Sequence, residues 1–300
     1  MPTNGVPGKK RGGTNLNDGW QQRLVEAREY LLSDHTVIPT GYQSLDEVLR
    51  GGPAVGQLSM LLGRVGVGKS LIACNIAVNA VLEGHPVGYA SLEMMGPEIV
   101  VRCLSILLNL SVEEVFALLR SNVPEPKLID AQKTLKDMYI WDEARPTWEQ
   151  LYEWVSEFSP DLVVIDHLSL MGRDKYQRGG EVERIRQLAE DAKKFAKDTQ
   201  TSVLILHQVG RSTEAANGAK NHGNSPLSME DALYAGEADC DIVLGVFRPV
   251  LDPAVRGTGR AKIIEQDVFL QLLKHRAGKT IPEGIKLHWN KGSLRVEEPT

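Results

Sequence analysis

From residue 37 onward, short apolar runs alternate with longer segments of helical periodicity. LSMLLG (58–63), VGYASLE (87–93), LVVIDHL (162–168), VLILHQ (203–208) and DIVLGVF (241–247) are almost unbroken apolar stretches. A strand with one wet face alternates apolar and polar positions, whereas a continuous run fits a strand covered on both faces. The segments between them have amphipathic helical spacing, so the pattern predicts an α/β domain: a mostly parallel twisted sheet flanked by helices. Ahead of it, GWQQRLVEAREYLLS (19–33) places Trp20, Leu24, Val25, Ala27, Leu31 and Leu32 at helical spacing and breaks at HTVIPTG. Residues 1–18 are rich in Gly, Pro and Asn and nearly free of large apolar groups, which predicts disorder. The expected organisation is a basic tail (1–18), a helix (19–36) and one large domain (37–300).

Composition narrows the function classes. The 300 residues are 42% hydrophobic with a net charge of −5, enough for a sizeable core and too acidic for a general basic coat against nucleic acid. Any nucleic-acid contact therefore falls to loops or to the Lys9-Lys10-Arg11 cluster, which reads more readily as a solvated tail. No apolar run approaches membrane-spanning length and the N-terminus is no signal peptide, so a cytoplasmic protein is expected, in a bacterium or a phage-infected host. Cys74, Cys103 and Cys240 are odd in number and widely spaced, as buried thiols would be.

GRVGVGKS (63–70) fits G-x-x-x-x-G-K-[ST] between an apolar strand and a helical segment. Gly63, Gly66 and Gly68 let the backbone, with Arg64, Val65 and Val67 between them, curl its N–H groups toward a phosphate chain. The helix that opens with Lys69, Ser70 and Leu71 adds its N-terminal partial charge. Lys69 would reach the β- and γ-phosphates of ATP, and Ser70 would bind Mg²⁺. Asp166, closing a buried strand, is the second metal-side candidate, because ligands bind outside the carboxyl ends of such strands. Glu93 ends another predicted strand and is the candidate base for an attacking water, although Glu at a strand exit is also an ordinary cap. Gln208 ends VLILHQ, where it could sense a γ-phosphate or merely cap the strand.

In LQLLKHRAGKT (270–280), Lys274 and Arg276 would share one face of a strand by period-2 alternation. Read alone, they are more readily a solvated strand face. Two loops carry further cations. GRDKYQRGGE (172–181) holds Arg173, Lys175 and Arg178 beside Tyr176, and the long polar segment 209–231 holds Arg211 and Lys220.

In order, TGYQSLDEVLRGG (40–52), GRVGVGKS, SLEM (91–94), VVIDHLSLM (163–171), HQVGRS (207–212), EADCDIVLGVFR (237–248) and LKHRAGK (273–279) resemble the DnaB-like, superfamily 4 replicative helicases across about residues 18–298. The resemblance implies a RecA-like P-loop NTPase core with a C-terminal β-hairpin extension. It implies a homo-oligomeric ring, a hexamer, with ATP between subunits. It further implies Glu93 as catalytic glutamate, Gln208 as the residue coupling nucleotide to DNA, and Lys274 and Arg276 acting on the neighbour's ATP. The cations of the two loops would then follow single-stranded DNA in the central channel, and the helix at 19–36 would pack on the adjacent core.

Two departures bear on activity. DnaB proteins carry a separate N-terminal helical domain, where this chain has a tail and one helix. Where the family has Arg-Glu-Ser-Gly, this chain has Leu233-Tyr234-Ala235-Gly236, without the cation. A DNA helicase driven by ATP hydrolysis is the expected function. A RecA/RadA-like ATPase that binds DNA as a recombination or repair accessory is the other reading.

Overall fold

A computed structural model describes residues 36–121, 125–172, 180–209, 225–232, 236–249 and 266–299, together with Trp20, Gln22–Val25 and Arg28. The chain forms two compact units, residues 1–36 and 37–300. In the first, Trp20 and the 22–25 stretch are helical, and Trp20 and Leu24 are exposed.

The second unit is built on a nine-stranded sheet. In chain order the strands are β1 (Leu58–Gly63), β2 (Val87–Ser91), β3 (Met138–Trp141), β4 (Leu162–Asp166), β5 (Ser202–Gln208), β6 (Ile242–Phe247), β7 (Asp267–His275), β8 (Ile281–Trp289) and β9 (Val296–Glu297). Their order across the sheet is β3-β2-β4-β5-β1-β6-β7-β8-β9. Strands β1 to β6 pair in parallel, and β7, β8 and β9 continue antiparallel. The five continuous apolar runs are therefore β1, β2, β4, β5 and β6, and all six residues of β1 and of β6 are buried. The antiparallel end is the expected C-terminal hairpin extension.

The helices of this unit are α1 (Gln43–Leu49), α2 (Lys69–Leu82), α3 (Gly96–Leu108), α4 (Val112–Arg120), α5 (Pro126–Thr134), α6 (Trp148–Ser156), α7 (Glu181–Thr199) and the short α8 (Met229–Ala232). One face of the sheet is covered by α2 and α3, whose Ile72, Ile76 and Ile99 pack on Leu61, Leu206 and Leu244. The other is covered by α6 and α7, with Leu151, Leu188 and Phe195 on Met60, Val163 and Ile205. Helix α7 buries Ile185, Leu188, Ala189, Ala192, Phe195 and Ala196, an i, i+3, i+4 stripe on an otherwise charged helix. Ser111 and Thr147 open α4 and α6, each accepting from the N–H three residues on.

Helix α2 is buried almost all round, because the chain's last strand returns onto it. Asn75 donates to Leu294 O at 3.0 Å and accepts from Val296 N at 2.9 Å. Glu298 then accepts from Ser44 N and Oγ, both at 2.8 Å. The C-terminal extension is thus fastened to the helix that follows the phosphate loop.

Phe195 is fully buried against Trp148 and Tyr152, with the Tyr152 ring edge-on at 4.9 Å. Phe195→Ala should cost about 3–5 kcal/mol, the range for a large aromatic removed from a packed core. A urea denaturation curve checks this, as a lower midpoint at unchanged slope.

Candidate nucleotide-binding site

The carboxyl ends of β1, β2, β4 and β5 open into one cleft of roughly 690 Å³. Lys69, Ser70, Glu93, Asp166 and Gln208 all line it, although they lie as much as 139 residues apart (208 − 69). Parallel pairing achieves this by bringing every C-terminal end to the same edge. Gln208 lies level with Gly63 in the β1–β5 ladder, and Ser91 level with Asp166 in the β2–β4 ladder.

The loop at 63–68 demands glycine at defined points. A Cβ on Gly63 would lie 2.8 Å from Val67 Cγ2 and 3.1 Å from Lys69 Cγ. Gly66 and Gly68 have φ of 74° and 102°, left-handed values that other residues adopt only under strain. Lys69 Nζ donates to Gly63 O and Arg64 O, both at 3.0 Å, so the ammonium folds onto its own loop. Burial lowers its pKa, against the opposing pull of Asp166 and Glu93. An anion in the loop would give that charge a better partner than two carbonyls.

Asp166 is 3% exposed and accepts from Tyr89 Oη at 2.9 Å. Burial pushes its pKa up, and hydrogen bonds from Ser70 and Tyr89 oppose that. A buried carboxylate beside a hydroxyl is a pair of hard oxygen donors, which fits Mg²⁺. Glu93, with its side chain largely exposed, reaches over the cleft, with Oε2 3.6 Å from His167 Nε2. The other ring nitrogen of His167 lies 2.7 Å from Ser169 Oγ.

The loop residues do not all face the cleft. Val65 and Leu71 line it with the two glycines. Val67 is buried in the core. The Arg64 side chain turns away to Ser225 and Asp231, leaving only its backbone for a phosphate.

Much of the remaining lining of the cleft is apolar, from Val101, Val112, Phe116, Trp289 and Leu294, with Glu98 and Arg102 among them. The Arg248 guanidinium sits over the Trp289 ring at 4.5 Å. A flat apolar wall beside a cation suits a planar base. Trp289 and Leu294 carry no local sequence signal: Asn75 and the β8–β9 pairing bring them here.

Lys274 and Arg276 lie elsewhere. Strand β7 runs antiparallel, so its end meets the start of β6: Lys274 lies opposite Val243, and Arg276 N donates to Asp241 O. Val246, level with Gly63, is five residues from Asp241 (246 − 241), about 17 Å along the strand. The register shifts between the Val243–Lys274 and Leu244–Leu272 pairs, leaving Leu273 as the extra residue, and both cations come to the α7 face. Lys274 Nζ donates to Glu237 O at 2.7 Å and Ala238 O at 3.1 Å. Arg276 pairs with Asp241 Oδ1 at 2.9 Å and keeps its side chain 58% exposed. Arg173, Lys175, Arg178, Arg211 and Lys220, with Lys9-Lys10-Arg11 and the Leu233–Ala235 substitution, lie outside the described residues.

The DnaB-like helicase C terminal domain family matches residues 37–298. The chain belongs to that family. It is 30% identical over 226 residues to a probable plasmid replicative DNA helicase of Chlamydia psittaci, covering 70% of this chain and 46% of that one. It is 27% identical to the replicative DNA helicase DnaB of Buchnera aphidicola from Acyrthosiphon pisum, covering 80% and 54%. The chain thus spans about half the length of these curated relatives. Among solved structures it superposes on an ATPase domain with a TM-score of 0.74 at 20% identity, over 96% of this chain and all of that one. A DnaB-like replicative helicase, described with its interactions with primase, also gives 0.74, at 21% identity over 98% of this chain and 69% of that one. These likenesses establish the RecA-like α/β fold. Among the described residues no helix is long and apolar enough to cross a membrane.

His207, on β5 next to Gln208, is half-buried, and its pKa is pushed down to about 4 by burial and then by His167 and Lys69. Between that value and the ordinary 6.5, the unfolded chain binds the proton and the folded chain does not. Stability is therefore lost as pH falls through this window. From pH 7 to 5 this group should account for about 2 kcal/mol of lost stability. Urea titrations at the two pH values check it: the loss should shrink by about that amount in His207→Gln.

Proposed function

We propose that the cleft binds ATP with Mg²⁺ and that the chain is the motor core of a DNA helicase, which hydrolyses ATP between the subunits of a homo-oligomeric ring, a hexamer. The observation that carries this reading is the convergence of Lys69, Ser70, Asp166, Glu93 and Gln208 on one sheet edge. Family membership supports the helicase over the recombinase-like accessory. RadB, a recombinase, shares the fold at a lower TM-score of 0.53 and 16% identity.

In this reading Lys69 leaves its two loop carbonyls for the β- and γ-phosphates, and the backbone of 63–71 wraps the triphosphate. Ser70 and Asp166 hold Mg²⁺, which neutralises phosphate charge when bound. Asp166 is steered for that duty by Tyr89, which donates to one of its carboxylate oxygens. Glu93 accepts a proton from the attacking water, and the base lies against Trp289. Gln208 meets the γ-phosphate end, at the start of the segment that bears Arg211 and Lys220. Those two, with Arg173, Lys175 and Arg178, would grip single-stranded DNA by its phosphates, giving sequence-tolerant, salt-dependent binding. Lys274 and Arg276, remote from their own phosphate loop, would serve the neighbour's. There an arginine finger can contribute about 10³–10⁵ in rate. Residues 19–36 would fasten that neighbour through the exposed Trp20 and Leu24.

Glu93→Gln should bind ATP normally and lower turnover by about 10²–10⁴, the usual contribution of a positioned base. Turnover at the wild-type rate would make Glu93 a strand cap. Arg276→Ala and Lys69→Ala should each hydrolyse ATP poorly, yet regain turnover when mixed, where an intact loop meets an intact finger. No recovery in demonstrably mixed rings would remove the finger role.

A further inference from the structure

Arg64 stands inside the phosphate loop but its side chain serves another segment. Nη1 donates to Ser225 O at 3.2 Å, and Nη2 lies 3.6 Å from Asp231 Oδ1. The two side chains are 8% and 13% exposed, so the pair is shielded from water and sensitive to small shifts. Asp231 also accepts from Ser228 N at 2.8 Å and Ser228 Oγ at 3.2 Å, closing the turn that opens α8.

The same segment is clamped from behind. Gln271 of β7 is fully buried, accepts from Leu227 N at 2.9 Å and donates to Leu227 O at 3.1 Å. Its amide also donates to Pro282 O. Three residues on, Lys274 donates to the carbonyls of Glu237 and Ala238. At the other boundary of 210–224, Val209 N donates to Gly63 O at 3.2 Å. Val209 and Ser225 are therefore bonded to consecutive residues of the phosphate loop.

We infer that Arg64 and Asp231 form a positioning pair that makes the Ser225–Asp231 segment follow the state of the phosphate loop, and that Gln271 relays the change to β7. This rests on the cleft being an ATP site. Lys69 Nζ holds the Arg64 carbonyl, and that residue's guanidinium holds Ser225. When Lys69 turns to a phosphate, the Arg64 carbonyl loses that donor and the loop backbone readjusts. The guanidinium then carries the shift into 225–231. The link is separate from Gln208, which lies at the other boundary of 210–224.

The test is amide hydrogen exchange on the full chain, with and without a non-hydrolysable ATP analogue and Mg²⁺. In the wild-type protein, exchange across 225–232 should change at least about five-fold on binding, the low end of ordinary site-to-site coupling. In Asp231→Asn, which keeps an acceptor for Ser228, the analogue should bind within about two-fold of wild type and the exchange response should be lost. Asp231→Glu, which keeps the charge, should recover part of it. A full response in Asp231→Asn, or a wild-type protein that binds the analogue without any response, overturns the pair's role. A wild-type protein that does not bind the analogue overturns the ATP reading instead, and leaves Arg64 and Asp231 a structural ion pair.

Discussion

Strand β1 is hydrogen-bonded in parallel to β5 on one side and to β6 on the other, and the phosphate loop hangs from its end. With neighbours on both sides and helices over both faces, β1 cannot shift without breaking two ladders and the core. Gly63 therefore has a fixed position, and Gln208 and Val246 are fixed level with it. The site inherits its geometry from that constraint. Lys69 and Ser70 open the helix that follows, Asp166 ends β4, and Glu93 follows the end of β2 in the same sheet. Glycine at 63 is part of the constraint, because any side chain there meets Val67 and Lys69.

The antiparallel extension supplies what the parallel core lacks. Its closing strand, tied to α2 through Asn75, brings Trp289 and Leu294 into the lining of the cleft. Its first strand carries Lys274 and Arg276 to the opposite edge, at the start of β6. One chain thus holds a phosphate loop at one edge and an exposed arginine at the other. A head-to-tail ring would bring such edges together, whereas a two-fold dimer would pair like with like.

Much of this is legible in the sequence. The strands LSMLLG, VGYASLE, LVVIDHL, VLILHQ and DIVLGVF declare themselves because strands buried on both faces must be continuously apolar. Their ends then place Lys69, Asp166, Glu93 and Gln208 on one edge with little freedom. The apolar wall is not legible, since Trp289 reaches the cleft only through pairings that lead to Asn75, more than two hundred residues earlier (289 − 75). Nor is the direction of the Arg64 side chain, because the loop motif constrains its backbone and leaves the side chain to tertiary contacts. The register shift at Leu273 is hidden too, as period-2 counting has no way to anticipate an extra residue.

With the phosphate loop and the exposed arginine at opposite edges of one chain, ATP turnover should belong to an assembly of chains. The measurement that tests this most directly is ATP turnover per chain across a dilution series, with the mass of the assembly followed in the same samples. The account predicts that turnover per chain rises with assembly and falls toward zero in the monomer. A demonstrably monomeric sample with full turnover per chain would contradict it.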